Sequence, residues 1–395
     1  MNVLFVINNL YLKGNGLCSS ARRTIKKLRE AGVNVKVLSA GYNAKYKDNP
    51  DFPLGDYVLP IFGPIVKEQG YQFASTDKKI IHDAVEWADV VHLEEPFAIE
   101  IATAKIAKQL KKPCTATYHL HPENLFASVH MDRVKIFPWV TMRLFRETVY
   151  NKCLIVQCPT ENVKERLERY KFKSELRVIS NGLVMEELKS IDKTVQPKKV
   201  SDAKYQLITI GRYSAEKDIK TLIKAMKYSR FAGEIQLVIA GQGPKEKSIK
   251  ALADKYMKKG IIKYAPDFGF HDLSFLQELS MGSDLYIHCA YIEVEGLSCM
   301  EAIQMGIVPV IAKGRYTATS QFALDEKSIF KARNPKDLAK HIDYWLEHEE
   351  ERKAEAKKYK GIGKQYNIDY SIEGLIKMFE DAYKMQQKKV KKNTK

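Results

Sequence analysis

What most limits this chain is a repeated alternation of short apolar runs, each about a strand long, with amphipathic helical stretches. NVLFVIN (2–8) reads as a strand buried on both faces, NLYLKGNG as a loop, and Ser19 to Ala31 as a helix closed by Gly32. VNVKVLSA, ADVVHLE (88–94), KPCTATYH (112–119) and KCLIVQCP (152–159) continue the strands, with AIEIATAKIAKQL (98–110) as a helix among them. Apolar strands interleaved with helices point to parallel sheets covered on both faces.

The alternation restarts with YQLITIG (205–211), IQLVIAG (235–241), KGIIKYAP (259–266), SDLYIHCA (283–290) and IVPVIAK (307–313). At 395 residues the chain exceeds one ordinary core. The expected fold is therefore α/β, with two Rossmann-like doubly wound domains facing across a cleft. Residues 1–185 form the N-terminal domain, 186–204 a linker, and 205–370 the C-terminal domain. Residues 371–395 form a last helix, in a position to cross back to the first domain, and a basic tail. Ligands of such sheets sit at the carboxyl ends of the strands, so the loops there carry the search.

Composition narrows the partners. Lys plus Arg outnumber Asp plus Glu by 65 to 48, a net +17, which favours an anionic partner: a nucleotide, a nucleic acid or an anionic membrane surface. No RNP, helix-turn-helix or zinc-finger signature supports nucleic acid. No run approaches the roughly 20 apolar residues of a membrane span, and the first residues lack a signal-peptide pattern, so a cytoplasmic location is expected. The six cysteines are scattered without a CxxC pair and read as reduced, buried thiols. The histidines show no HExxH or His/Cys cluster, so no metal site is expected.

Four loops carry candidate chemistry. Gly14 and Gly16 follow the first strand and precede the first helix, where the backbone can approach an anion; a plain turn fits as well. In GRYSAEKD (211–218), Arg212 and Lys217 are placed to reach one phosphate group, or they line a solvated basic loop. His119 and His121 stand just past a strand end, where a histidine can exchange a proton with a hydroxyl or simply hydrogen-bond a substrate. In YIEVEGLSCMEAIQMG, Glu293 and Glu301 flank Gly296 and the helix start at Leu297 and Ser298. The polarity order suits a sugar–diphosphate–nucleoside, with phosphate on the helix-start amides and hydroxyls on the two carboxylates. A capping carboxylate and a surface glutamate would give the same spacing.

Taken in order, the glycine loop, VISNGL (178–183), G-R-x3-E-K, GxGP (241–244) and E-x7-E resemble the retaining glycosyltransferases of family 4, which have the glycosyltransferase-B fold. The resemblance implies a UDP-sugar-dependent hexosyltransferase and assigns roles. Gly16 would lie against the donor diphosphate and the reacting sugar. Arg212 and Lys217 would neutralise the pyrophosphate leaving group, and amides near Leu297 and Ser298 would hold phosphate. Glu293 would contact hexose hydroxyls, Glu301 the ribose, and His119 the region of donor hexose and acceptor hydroxyl. Such leaving-group stabilisation needs no metal or other cofactor.

Glu295 replaces an aromatic residue common in relatives, and EVEGLSCMEA looks more like the variant found in enzymes that glycosylate diacylglycerol. The segment 128–150 mixes apolar residues with Arg133, Lys135, Trp139, Arg143 and Arg146, as an interfacial surface on an anionic bilayer would; a core helix would also fit. The expectation is a cytoplasmic enzyme held at the inner face of the cell membrane. It would move a hexose, glucose first, from a UDP-sugar to a lipid hydroxyl, diacylglycerol first, with no nucleic-acid or protein partner. The alternatives are a transferase of capsular or cell-wall polysaccharide and a non-catalytic nucleotide-sugar or nucleic-acid binding protein.

Overall fold

A computed structural model of the chain describes all residues except 13–14, 43–48, 59–70, 128–133, 135, 189–194 and 394–395. The chain forms two compact units. The first comprises Met1–Pro122, Asp132–Asn181 and Ile368–Lys395; the second comprises Glu123–Met131 and Gly182–Asn367.

The first unit is built on a parallel sheet in the order Phe52–Pro53, Asn34–Ala40, Asn2–Asn9, Val90–Leu93, Cys114–Thr117, Ile155–Cys158 and Glu175–Val178. Val3 through Ile7 are fully buried, as a central strand covered on both faces requires. The Gly16–Glu30 helix buries Cys18, Ala21, Ile25 and Leu28, and the Ile368–Asn393 helix buries Leu375, Met378, Phe379 and Ala382. Each large apolar side chain so buried contributes about 1.5–3 kcal/mol. Strand order reverses between Asn2–Asn9 and Val90–Leu93, and a crevice opens outside the carboxyl ends at such a reversal.

The second unit repeats the scheme with Asp267–Gly269, Ile235–Ala240, Tyr205–Ile210, Leu285–His288, Pro309–Lys313 and Ile329–Lys331. Its order reverses between Tyr205–Ile210 and Leu285–His288. The strand expected over 259–266 lies further along. Pro266 has no N–H to give a ladder, and pairing with Val238–Ala240 begins at Asp267.

All six cysteines are unpaired and buried. No helix among the described residues is long and apolar enough to cross a membrane.

Candidate active site

In the second unit the strand ends at the order reversal gather the polar groups. The Tyr205–Ile210 strand runs into Gly211 and Arg212, and the neighbouring Leu285–His288 strand leads to Glu293 and the Leu297–Gln304 helix. Lys217 donates to Glu293, 76 residues away in sequence. Burial opposes ionisation of Glu293, but the Lys217 ammonium and His288 outweigh it and bring the carboxyl from 4.5 to about 2. Burial likewise opposes the Lys217 charge, and Glu293 reverses that and raises its pKa. Arg212 is half-buried, and burial lowers its pKa against a partial offset from Glu216.

A second row of groups supports this pair. His288 Nε2 lies 3.5 Å from Glu293 Oε2 and 3.3 Å from Thr319 Oγ1. Its Nδ1 is 3.1 Å from the Tyr286 hydroxyl, which in turn is 2.9 Å from Ser298 Oγ. Burial lowers the His288 pKa against the pull of Glu293. Gly296 opens the helix at φ +94°, and a Cβ there would stand 2.6 Å from Thr319 Oγ1. Only glycine lets the helix start this close to the Thr319 side chain. The N–H groups of Leu297 and Ser298 are among the first four of the helix, which no intrahelical acceptor can take. Glu301 sits half-buried one turn on. The result is two carboxylates on either side of a helix start, with Lys217 paired to Glu293 and Arg212 in the loop that follows the neighbouring strand, groups that can bind an anion flanked by hydroxyls.

The ion pair has a measurable acid signature. An unfolded Glu293 titrates near its ordinary 4.5 and the folded one near 2. Its stabilisation is therefore full above about 4.5 and is lost as pH falls towards 2. The difference in urea midpoint between the native chain and Glu293→Gln should shrink across that window. A difference that stays constant would show that Lys217 does not hold Glu293 ionised.

In the first unit, Asn15 caps the first helix, its side chain accepting from Leu17 N–H at 3.0 Å and Cys18 N–H at 3.3 Å. A Cβ at Gly16 would meet nothing within 4 Å, so packing within the chain does not demand glycine there. Gly14 lies outside the described residues. His119 and His121 part company: His121 is fully buried with Nδ1 3.1 Å from the Tyr118 hydroxyl, whereas His119 Nε2 lies 2.6 Å from Glu94 Oε2.

Sequence reasoning passed over His92, Glu94, Tyr286, His288 and Thr319. A signal was present for four of them: in HLE and LYIH the polar groups stand two apart, the spacing that puts side chains on one face of an extended segment.

The Ile136–Thr148 helix turns Pro138, Met142 and Phe145 inward and leaves Ile136, Phe137, Trp139, Val140 and Leu144 exposed. The Arg143 guanidinium lies 3.8 Å over the Trp139 ring. Arg146 turns back to the protein, donating to Tyr170 O at 2.5 Å and pairing with Glu147 at 2.6 Å. Arg133 and Lys135 lie outside the described residues.

Residues 14–187 match the family model described as Glycosyltransferase Family 4, and residues 190–361 match Glycosyl transferases group 1. Alpha-monoglucosyldiacylglycerol synthase of Streptococcus pneumoniae is 25% identical over 237 residues, 57% of this chain and 52% of that protein. The match thus spans about half the length of that curated relative. The structure of Anabaena HepE in complex with UDP and glucose aligns at a TM-score of 0.73 and 14% identity, covering 96% of this chain and all of that one. The catalytic domain of cholesterol-alpha-glucosyltransferase from Helicobacter pylori aligns at 41% identity and a TM-score of 0.37, over 41% of this chain and 99% of that one. With two successive family models spread over its length and two Rossmann-like units, the chain belongs to the family 4 glycosyltransferases of the glycosyltransferase-B fold.

Proposed function

We propose that the chain transfers a hexose, glucose first, from a UDP-sugar to the hydroxyl of a membrane lipid, diacylglycerol first, with retention of configuration. The observation that carries the lipid half is the outward face of the Ile136–Thr148 helix. Ile136, Phe137, Val140 and Leu144 are each more than 40% exposed, and Arg143 lies against Trp139 beside them. A solvent-facing arc of apolar residues with a cation at its edge suits the headgroup boundary of an anionic bilayer. The named activity of the pneumococcal relative agrees with this reading.

On the donor side, Arg212, Lys217 and the amides of Leu297 and Ser298 offer positive charge and N–H donors to a diphosphate. Fixed donors of this kind stabilise a leaving group as its charge develops. Glu293 accepts from hexose hydroxyls and Glu301 from the ribose. Gly16 is assigned to the diphosphate, and His119 accepts a hydrogen bond from the reacting hydroxyl.

The test is incubation with UDP-[14C]glucose and vesicles containing diacylglycerol, a sterol or a polyprenyl phosphate, with products read by mass spectrometry. Labelled glucosyldiacylglycerol is expected; label only in a polyprenyl-linked saccharide would place the enzyme in polysaccharide synthesis instead. Arg143→Glu with Leu144→Asp should weaken co-sedimentation with anionic vesicles at least about tenfold and leave UDP binding intact. Unchanged co-sedimentation would remove this helix from the membrane reading.

A further inference from the structure

Strand alternation sets a column of polar side chains into the sheet of the first unit. His92 lies in the Val90–Leu93 strand with Glu94 just past its end, and Thr115 and Thr117 lie in the neighbouring Cys114–Thr117 strand with His119 two residues beyond it. The register pairs His92 with Thr115. Glu94, His92, Thr115, Thr117 and Gln157 are each at most 3% exposed, where an apolar face would be the cheaper solution.

Donor bookkeeping along this column can be done from its anchored end. The Gln157 amide donates to Ile179 O at 2.9 Å, so its oxygen accepts, and the Thr117 hydroxyl donates to it at 2.7 Å. With its proton used, Thr117 Oγ1 accepts from His92 Nε2 at 2.9 Å, which makes Nε2 the protonated nitrogen of His92. The same N–H faces Glu94 Oε1 at 3.2 Å, while Thr115 serves His92 Nδ1 at 2.9 Å. Glu94 Oε2 is left to meet His119 Nε2 at 2.6 Å. Burial opposes the Glu94 charge, but His119 and then His92 outweigh it and bring the carboxyl down to about 2. A carboxylate can only accept, so His119 Nε2 carries a proton.

We propose that Glu94 is a positioning residue: it holds His119 by Nε2–H and leaves Nδ1 as the lone-pair nitrogen offered to the reacting hydroxyl. The inference rests on the role given to His119 above, yet the tautomer it requires belongs to the chain alone. His92, Thr117 and Gln157 keep the carboxylate from turning, so an orienting strut runs from the sheet interior to the imidazole. In the absence of the Glu94 charge, either ring nitrogen can hold the proton and the accepting atom is no longer defined.

The test reads the tautomer first. Imidazole 15N spectra of the labelled full chain, with His119 assigned by His119→Gln, should show the Nε2–H form, and Glu94→Gln should lose it. In transfer assays Glu94→Gln should lower kcat about 100-fold with the UDP-sugar KM unchanged, and Glu94→Asp, which keeps the charge, should recover at least about tenfold of that loss. An Nδ1–H tautomer in the native chain would overturn the proposal. So would a near-native kcat in Glu94→Gln, or equal impairment in the Gln and Asp variants. If the native chain glycosylates no lipid, the glycolipid reading fails while the tautomer, read without substrate, still decides this one.

Discussion

Lys217→Ala should lower kcat for sugar transfer by about 10²–10³-fold, the usual cost of removing one fixed donor from a developing negative charge. The motive is its position: Lys217 is the cation that holds Glu293 ionised. The same change leaves Glu293 with His288, whose own charge burial disfavours. Removing one partner of a buried pair costs about 3–5 kcal/mol, but the Lys217 and Glu293 side chains are 26% and 16% exposed, so about 1–3 kcal/mol is expected here. The double variant Lys217→Ala/Glu293→Gln should regain most of that stability and none of the activity. Steady-state kinetics and urea denaturation on the three proteins decide the matter. A kcat within about threefold of native in Lys217→Ala would mean that the leaving group is stabilised elsewhere.

The second large effect is Gly241→Ala. At φ +149° a Cβ would stand 2.0 Å from Gly211 O and 3.2 Å from the Tyr213 ring. Those neighbours cannot yield cheaply. Gly211 N–H bonds to Ala240 O at 3.0 Å, Gly241 N–H to Gly269 O at 2.7 Å, and Tyr213 N–H to Gln242 O at 2.9 Å. The glycine turn is laced to the loop that carries Arg212, so the substitution should cost about 3 kcal/mol or more and depress activity through that loop. Gly260→Ala is the comparator: φ is +68°, and nothing lies within 4 Å of its Cβ. It should cost about 1 kcal/mol, with kinetics intact. Equal losses in the two variants would assign the effect to backbone conformation and not to the contact.

The sequence carried the fold because the apolar runs are long and the helices between them strongly amphipathic. Tyr205–Ile210, Ile235–Ala240 and Ala98–Gln109 fall within a residue or so of where periodicity puts them. The run 259–266 misled because Ile262 is buried in the core without being in a strand. Burial is what an apolar run encodes; ladder geometry is not. The candidate site divides along the same line. Glu293, Gly296 and Glu301 are local in sequence, and their spacing around a helix start can be read directly. The ion pair to Lys217 depends on strand order, which no local pattern contains. His92 and Glu94 were hidden for another reason: polar residues inside an apolar strand look like interruptions until the neighbouring strand supplies Thr115, Thr117 and His119.

The Ile368–Asn393 helix belongs to the first unit, although the whole run Gly182–Asn367 is assigned to the second. Phe379 packs edge-on against Phe5 and His92, with ring centroids 6.3 and 5.2 Å apart. During synthesis, then, the first sheet emerges without this helix over Phe5 and His92, and it waits while some 190 further residues are translated. At about 5–20 residues per second that delay is about 10–40 s. The second unit, whose main span is continuous, can be complete before the first. The order of maturation can then be the reverse of the order of synthesis, and for that interval Phe5 and His92 lack the Phe379 ring that packs on them.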